Sequence, residues 1–267
     1  MPERDYLLFQ LYGPMASWGD IAVGEYRPSF ERPSKSAILG LLAAALGIKR
    51  PNTVESESEH ANLEAQHAAL TQGYGIAVEC WALSDGGRDL PVLGGLLRDY
   101  HTVQRPKAAL VSSRPCYTRR DELSFPKHEY AKTTTLSSRD YRTDAYYRIA
   151  LWANEDAPFP LDKLAEKLAA PDFALYLGRK SCPLALPLNA HLVEKVVGWN
   201  DAFDHAGFKL LDNLGIAFAQ RKDGAPIRIR YGETPEGEHL LQVSRRDQPS
   251  SRSRWQFDIR TEYQRVL

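Results

Sequence analysis

Cysteine is scarce in this chain of 267 residues, and none of its three cysteines forms a C-x-x-C pair. The odd count and wide spacing of Cys80, Cys116 and Cys182 argue against a disulfide framework and favour a protein of the reducing cytoplasm. The seven histidines are scattered, with no H-E-x-x-H or comparable spacing. The sequence therefore predicts no metal site and no cofactor.

Long hydrophobic runs and net charge are also missing. No apolar run is long enough to span a bilayer, and no basic-then-apolar signal segment precedes the first strand-like run, so we expect neither secretion nor membrane insertion. The formal net charge is zero, which disfavours a protein that coats nucleic acid through its overall charge. Between residues 98 and 148, however, eleven Lys or Arg stand against six Asp or Glu, which predicts a local basic surface.

Residues 27–47, R-P-S-F-E-R-P-S-K-S-A-I-L-G-L-L-A-A-A-L-G, predict a polar loop that leads into a short helix. Ser34 is a typical N-cap, Gly47 is a typical stop, and the apolar spacing between them marks one buried face. The opposite face is a stripe of small residues, so we expect burial almost all round. The first N–H groups, beside Lys35 and Ser36, suit a phosphate, although an ordinary cap with a solvated lysine also explains these residues.

The order of the elements predicts an α+β fold. Strands are expected at 6–13, 75–83, 91–104, 146–153 and 173–177, and helices at 34–47 and 160–170. This order favours a sheet with helices on one face, of the ferredoxin-like or RRM type. A smaller C-terminal part holds a helical pattern at 200–211 and strand-like runs at 227–231, 239–244 and 255–260.

Two segments interrupt this core pattern. Residues 51–72 are polar, acidic and Ala-rich, and predict either a loose insertion or a solvated helix. Residues 105–144 carry few large aliphatic side chains, many basic residues and three prolines, and predict a projecting hairpin.

Two short sequences look like phosphate loops, Ser34-Lys35-Ser36 and Gly178-Arg179-Lys180-Ser181. Both lack the glycines that a Walker A loop places before the lysine, so the sequence does not support nucleotide hydrolysis. Close backbone approach at Gly178, beside two cations, still suits a sugar-phosphate chain, and a surface turn with solvated cations is the alternative.

A cluster of cations and aromatic rings points to single-stranded RNA. Its members lie within the basic segment and are Arg119, Arg120, Arg139, Tyr141 and Arg142. Guanidinium groups contact phosphates and rings stack on bases, whereas a merely solvated basic hairpin would show no salt-dependent RNA binding.

One histidine could act in catalysis. His101 could be the general base for RNA cleavage through the 2′-hydroxyl, with Lys107 or Tyr100 stabilising charge. A histidine that only hydrogen-bonds within a strand explains the same sequence.

Five segments occur in an order that resembles the CRISPR-associated RAMP superfamily, and most closely the type I-E form of family five of the Cas proteins. They are G-P-M-A-S-W-G at 13–19, R-P-S-K-S-A-I-L-G-L-L-A-A-A-L-G at 32–47, D-Y-H-T-V-Q at 99–104, S-R-D-Y-R-T-D-A at 138–145 and Y-L-G-R-K-S-C-P-L at 176–184. The resemblance implies an RRM-like, ferredoxin-like domain at 1–188 with a β-hairpin thumb at about 105–144, and a small β-containing portion at 189–267 packed on it.

The resemblance also implies a function. Such a subunit binds the 5′ handle of the mature CRISPR RNA at one end of the Cascade backbone, contacts the adjacent backbone subunit and the large subunit, and meets target DNA only through the complex. No catalysis is implied. Type I-C relatives do cut RNA, but this sequence lacks their clustered Tyr, Lys and His, and only Tyr100, His101 and Lys107 keep that alternative open.

We therefore predict a non-catalytic RNA-binding subunit. The predicted phosphate contacts are Arg27, Lys35, Arg179 and Lys180, the predicted base contacts are Ser17, Trp18 and Tyr141, and the surface also includes Ser36, Arg119, Arg120, Arg139, Arg142, Gly178 and Ser181. A metal-independent endoribonuclease that processes precursor CRISPR RNA and a purely scaffolding subunit are the two alternatives.

Overall fold

The computed structural model of the chain describes residues 3–82, 93–103, 119–122, 124–125, 135–205, 218–237 and 241–267. Within these residues the strands are β1 Arg4–Tyr12, β2 Met15–Ala16, β3 Trp18–Gly19, β4 Tyr26–Arg27, β5 Ser29–Phe30, β6 Tyr74–Trp81, β7 Gly95–Val103, β8 Thr135–Thr143, β9 Tyr146–Ala153, β10 His191–Val196, β11 Arg228–Gly232, β12 Leu241–Ser251 and β13 Gln256–Val266. The helices are α1 Lys35–Ala45, α2 Glu57–Gly73, α3 Arg119–Glu122, α4 Leu161–Ala169 and α5 Trp199–His205, with a 3-10 turn at Pro51–Thr53.

A seven-stranded sheet forms the centre of the fold, in the order β10–β1–β9–β6–β11–β13–β12 with every neighbouring pair antiparallel. Helices α1, α2 and α4 pack on one face and α5 packs on the other. The α+β class predicted from the element order is therefore present. In the part of the chain that the structure describes, no helix combines the length and apolarity needed to cross a bilayer.

Strand β1 shows why this sequence forms a buried sheet. Leu7 and Phe9 face the layer that contains α1, and Tyr6 and Leu8 face the layer that contains α5. A strand buried on both faces needs apolar side chains at consecutive positions, which is what Y-L-L-F supplies. The strand predicted at 6–13 is confirmed.

Helix α1 begins and ends where the sequence predicts. The Ser34 hydroxyl accepts a hydrogen bond from the backbone N–H of Ala37 at 3.1 Å, and Gly47 adopts φ +74° after the last turn. The expected burial almost all round is close to what the structure shows, since seven of the eleven residues of α1 are buried and the other four are half-buried. Gly40 is one of the half-buried residues, and it lines a cavity.

One predicted strand is wrong, and one segment with two predicted structures is resolved. Residues 173–177 are not a strand and make only an isolated bridge at Tyr176, because the chain turns back there so that the N–H of Leu177 meets the carbonyl of Cys182 at 2.8 Å. The strand that pairs with this edge of β1 is instead β10. Of the two alternatives for residues 51–72, the solvated helix is the one observed, as α2.

The C-terminal residues extend the same sheet, since β10 pairs with β1 and β11 pairs with β6. The domain boundary at residue 188 stays a prediction. Strands β7 and β8 pair over nine residues, from Gly95 opposite Thr143 to Val103 opposite Thr135. Strand β8 lies within the hairpin predicted at 105–144, and β7 lies within the strand predicted at 91–104. Residues 104–118, 123 and 126–134, including Lys107, lie outside the described residues.

Candidate nucleic-acid interface

A second, smaller sheet lies at the base of the β7–β8 hairpin. Strand β8 pairs with β7 along one edge and with β2 and β4 along the other. The pairing with β4 is parallel and places Arg27 directly beside Arg139. Because paired residues of neighbouring strands project to the same face, these two cations lie side by side on one surface.

Three of the segments singled out in the sequence meet at Ser17. Its N–H donates to the carbonyl of Leu177 at 3.0 Å, and its hydroxyl donates to the carbonyl of Asp140 at 3.3 Å. The loop at 13–19, strand β8 and the turn after Leu177 are therefore fastened together, although Ser17 and Asp140 are 123 residues apart in sequence. Ser17 itself is buried, so its predicted base contact is corrected to a structural junction.

Arginines surround this junction. Arg179 donates to the Tyr141 hydroxyl at 3.2 Å and stacks over its ring, with the guanidinium carbon 5.1 Å from the ring centre. Arg142 donates from Nε to the Phe30 carbonyl at 3.3 Å. We call Arg27, Arg139, Arg142 and Arg179 the arginine platform; Arg27 is exposed and the other three are half-buried. Arg139 and Tyr141, which Arg179 covers, project from one face of β8 and Arg142 projects from the other, so the platform offers phosphate contacts on both sides of this strand.

Asp140, which the sequence does not predict as a site residue, lies buried on β8 next to Arg139. Its buried carboxylate accepts hydrogen bonds from Arg98 Nε at 2.8 Å, from Arg98 Nη2 at 3.2 Å and from the Tyr26 hydroxyl. The hydrogen bond from Arg98 holds the pKa of Asp140 below its usual value, so the carboxylate is charged at neutral pH. The signal was present in the quoted motif S-R-D-Y-R, where an acid stands between two arginines.

Gly178 makes the close approach at the junction possible. Its φ is +82°, and a Cβ added there would lie 1.9 Å from the carbonyl oxygen of Ser17. A left-handed residue with no space for a side chain has to be glycine. The predicted close backbone approach at Gly178 is present, but the partner it approaches is this chain's own backbone.

We expect Gly178→Ala to lower the free energy of unfolding by about 3 kcal/mol, because about 1 kcal/mol of left-handed strain adds to a clash with backbone that cannot rotate away. Urea titration of both proteins measures the difference. Gly24→Ala is the matched control, since Gly24 also has a positive φ, +59°, but has open space around it. Equal losses at the two glycines would contradict a packing role for Gly178.

The N-terminus of α1 is already occupied. The backbone N–H of Lys35 donates to Asp247 Oδ2 at 2.9 Å, and the Lys35 ammonium pairs with Glu233 at 3.0 Å. Lys35 is only 4% exposed. The prediction that Lys35 contacts phosphate is therefore corrected, because a carboxylate from β12 takes the place of the anion and the side chain points into the C-terminal strands.

Lys35 belongs to a buried charge cluster that no local sequence pattern reveals. Its cations are Arg32, Lys35, Arg245 and Arg260, and its acids are Glu233, Asp247 and Glu262. Buried charges are tolerated only when they are paired, and these are paired across β11, β13 and β12. The R-P-S-K segment at 32–35 is therefore held against β11, β12 and β13 by buried ion pairs.

The aromatic residues predicted to contact bases are not free rings. Trp18 is 2% exposed and packs edge-to-face on Tyr147, with 5.7 Å between ring centres. Tyr141 is 8% exposed and is covered by Arg179. Trp18 is therefore a core residue, and Tyr141 supports an arginine of the platform where we predicted direct stacking on a base.

The remaining predicted residues fall into three places. Ser36 is half-buried beside Ser34, and Lys180 and Ser181 are exposed on the turn after Gly178. Arg119 and Arg120 lie on α3, where Arg120 is exposed. The structure therefore brings Lys180 and Ser181 beside the platform.

The residues of the alternative catalytic site do not converge in the described part of the chain. Tyr100 and His101 are consecutive and exposed on β7. Side chains of consecutive strand residues project to opposite faces, so these two cannot act on one bond. Lys107, the third member, lies outside the described residues.

Comparison with known proteins agrees across sequence and structure. A sequence profile described as CRISPR-associated protein (Cas_Cas5) matches residues 6–263. A curated relative, the CRISPR system Cascade subunit CasD of Escherichia coli (strain K12), is 35% identical over 185 residues, which is 69% of this chain and 70% of the relative.

Two solved structures share the fold. One is described as a CRISPR RNA-guided surveillance complex and has a TM-score of 0.58 and 24% identity, covering 98% of this chain and 89% of that chain. The other is described as a Cas protein and has a TM-score of 0.56 and 22% identity, covering 98% of this chain and 94% of that chain.

Proposed function

Because this chain belongs to the CRISPR-associated Cas5 family, we propose that it is a non-catalytic Cascade subunit that binds the 5′ handle of the mature CRISPR RNA. The observation that carries the proposal is the arginine platform. Four arginines surround one junction, and the only buried carboxylate we find beneath them in the described residues, Asp140, is already bonded to Arg98 and Tyr26. The RNA phosphates supply the anions that the platform faces.

Neutral overall charge fits this role. The chain has equal numbers of basic and acidic residues, and many of the acids neutralise buried arginines, as Asp247 and Glu262 do for Arg260. Cations are left over on the platform and the adjacent turn. A short RNA segment held at one place needs a local cationic surface, not a cationic protein.

We assign the RRM-like unit to β1, α1, β6, β9, α4 and β10. The observed order β10–β1–β9–β6 supports this assignment. In an RRM-like sheet, the two parallel strands of each βαβ unit have a strand of the other unit between them. Here β9 lies between β1 and β6, and β1 lies between β9 and β10. The neighbouring Cascade subunits are proposed partners. Apolar side chains exposed on β7, Leu96 at 55% and Leu97 at 46%, support a protein contact beside the platform.

The test is the nucleic acid that purifies with the complex. The tagged chain, co-expressed with the other subunits and a CRISPR array, should yield RNA whose 5′ end derives from the repeat. Recovery of the complex with intact subunits but with no RNA crosslinked to this chain would support the scaffold alternative and overturn the proposal.

Absence of catalysis is tested separately. The purified chain is incubated with labelled repeat RNA in EDTA, and we expect the RNA to remain intact. A cleaved product that disappears in His101→Ala would establish the endoribonuclease alternative. The same incubation with Tyr100→Phe is the matched control, since Tyr100 faces the opposite side of β7.

A further inference from the structure

A cavity of about 950 Å³ runs along the small-residue stripe of α1. Gly40 and Ala44 form its floor, and the turn between β12 and β13 forms the opposite wall. Its volume lies in the range of about 300–1,000 Å³ that is typical of ligand sites. Lysine and arginine contribute four of its lining residues, and Asp20 is the one acid, so the cavity favours an anion.

Two arginines flank one indole at the mouth of this cavity. The guanidinium carbons of Arg50 and Arg252 each lie 5.4 Å from the centre of the Trp255 ring. Arg50 also donates to the Tyr176 hydroxyl at 3.2 Å. Burial and the neighbouring Arg50 lower the pKa of Arg252 to about 10, which leaves Arg252 charged at neutral pH.

Neither guanidinium is neutralised by a carboxylate contact in the described part of the chain. The acid that faces Arg252 is Glu64, and its two oxygens accept from the backbone N–H groups of Arg252 and Ser253 at 2.8 and 2.9 Å. The two positive charges can bind a phosphate, and the half-exposed ring beside them can stack on a base. A nucleotide supplies both groups.

The turn that carries Trp255 is held by hydrogen bonds from two other segments of the chain. Glu64 of α2 binds its backbone, and Asn52 donates to the Ser253 carbonyl at 2.9 Å. Trp255 has φ +53°, a left-handed conformation that is uncommon for a bulky residue, and its ring is 51% exposed. An aromatic residue held in this way loses little freedom on binding, so its contact area contributes to affinity.

The far end of the cavity reaches the platform. Ser17 and Gly178 line it there and belong to the junction that fastens the arginine platform together, and Lys180 lines it from the turn that follows Gly178. A nucleic acid strand lying on the platform can therefore send one nucleotide along α1. This continuity favours RNA over a protein side chain as the occupant.

We propose that the cavity binds one unpaired nucleotide of the RNA, with its base against Trp255 and its phosphate between Arg50 and Arg252. The inference rests on the proposed function, because it requires the RNA strand to lie on the platform. It adds a contact with a base to a surface that otherwise meets only phosphates. Trp255 is then the stacking residue that the buried Trp18 cannot be.

The experiment is an abasic scan with the full-length chain. Single-stranded RNAs with the repeat-derived 5′ end are prepared with one nucleotide at a time made abasic, and affinities are measured for the wild type and Trp255→Ala. In the wild type we expect one abasic position to weaken binding by about 5- to 150-fold, the range for loss of one stacked base. In Trp255→Ala the same position should have no further effect, because base and ring form one interaction.

Three more variants extend the test, and one of them lies away from the turn. Ala44→Leu fills the cavity from the α1 side and should abolish the effect of the same abasic position. Arg252→Gln should weaken binding, whereas Arg254→Gln should not, because Arg254 is exposed on the same turn and does not line the cavity.

The outcomes separate the inference from the proposed function. If the platform variants weaken RNA binding but no abasic position is coupled to Trp255, the cavity does not hold a base and the inference is wrong. If Trp255→Ala leaves RNA affinity unchanged and prevents assembly with the other subunits, the occupant is a protein side chain and the inference is also wrong. If the wild-type chain binds no RNA, the proposed function fails first and the inference fails with it.

Discussion

Replacing Asp247 by alanine should lower the free energy of unfolding by about 3–5 kcal/mol, the usual cost of removing one member of a buried ion pair. The side chain is 2% exposed and accepts from Arg260 Nε at 2.6 Å, from Arg260 Nη2 at 3.0 Å and from the Lys35 N–H at 2.9 Å. Its loss removes the shortest carboxylate contacts of the buried Arg260 and Arg245 and leaves the buried Lys35 N–H without its acceptor. Urea titration near neutral pH measures the change.

Asp258→Ala is the matched control for this prediction. Asp258 lies on β13, next to the same hairpin pairing, but is exposed, and we expect a change within about 0.5 kcal/mol. A loss at Asp247 no larger than the loss at Asp258 would mean that the charge cluster does not stabilise the fold.

The pH dependence gives this prediction a second measurement. Burial alone would raise the pKa of Asp247, but the hydrogen bonds and charges of Arg260 and Arg245 outweigh it and hold the pKa below the ordinary value. A carboxylate with a lowered pKa stabilises the fold above its unfolded-state pKa, and that stability is lost as the pH falls through the folded-state value. The difference between wild type and Asp247→Ala should therefore shrink only below about pH 4.

The double variant Arg27→Glu with Arg139→Glu should lower the affinity for repeat-derived single-stranded RNA by about 100-fold or more, because each hydrogen bond between charged groups contributes about 1.5 kcal/mol or more. The two residues lie side by side in the parallel pair of β4 and β8. The slope of log affinity against log salt should become shallower by about 1.4, because each phosphate contact on a single strand contributes about 0.7.

Lys163→Glu with Lys222→Glu is the matched control. Both lysines are exposed and lie on α4 and on the turn before β11, so the change in net charge is the same while the platform is intact. We expect a small loss of affinity with an unchanged salt slope. If the control weakens RNA binding as much as the platform variant, then overall charge explains the binding and the platform does not.

The sequence predicted best where both faces of an element are buried. The strand predicted at 146–153 has the same bounds as β9, because Y-Y-R-I-A-L-W-A supplies apolar side chains to two packed layers. Strand β10 was missed because it lies at the sheet edge, is largely half-buried or exposed, and carries H-L-V-E-K-V, a weaker pattern. The sequence instead predicts a strand at residues 173–177, where the chain turns back on itself.

At the site, residue types were predictable and orientations were not. Arg142 donates to the Phe30 carbonyl and Arg179 donates to the Tyr141 hydroxyl, whereas Lys35 and Trp18 point inwards. The orientation of Lys35 depends on Glu233, which is 198 residues away, and no local pattern carries that information. The cavity beside Trp255 is likewise a gap between elements distant in sequence, so only the fold reveals it.

The long separation within the charge cluster has a consequence for biosynthesis. Arg32 and Lys35 leave the ribosome early, but their partners Glu233 and Glu262 come from the last strands of the chain. Until those strands have emerged, the N-terminus of α1 cannot be buried without stranding two cations in an apolar layer. Closure of the fold around α1 therefore requires residues that lie 198 and 230 positions further along the chain, and such non-local contacts form slowly.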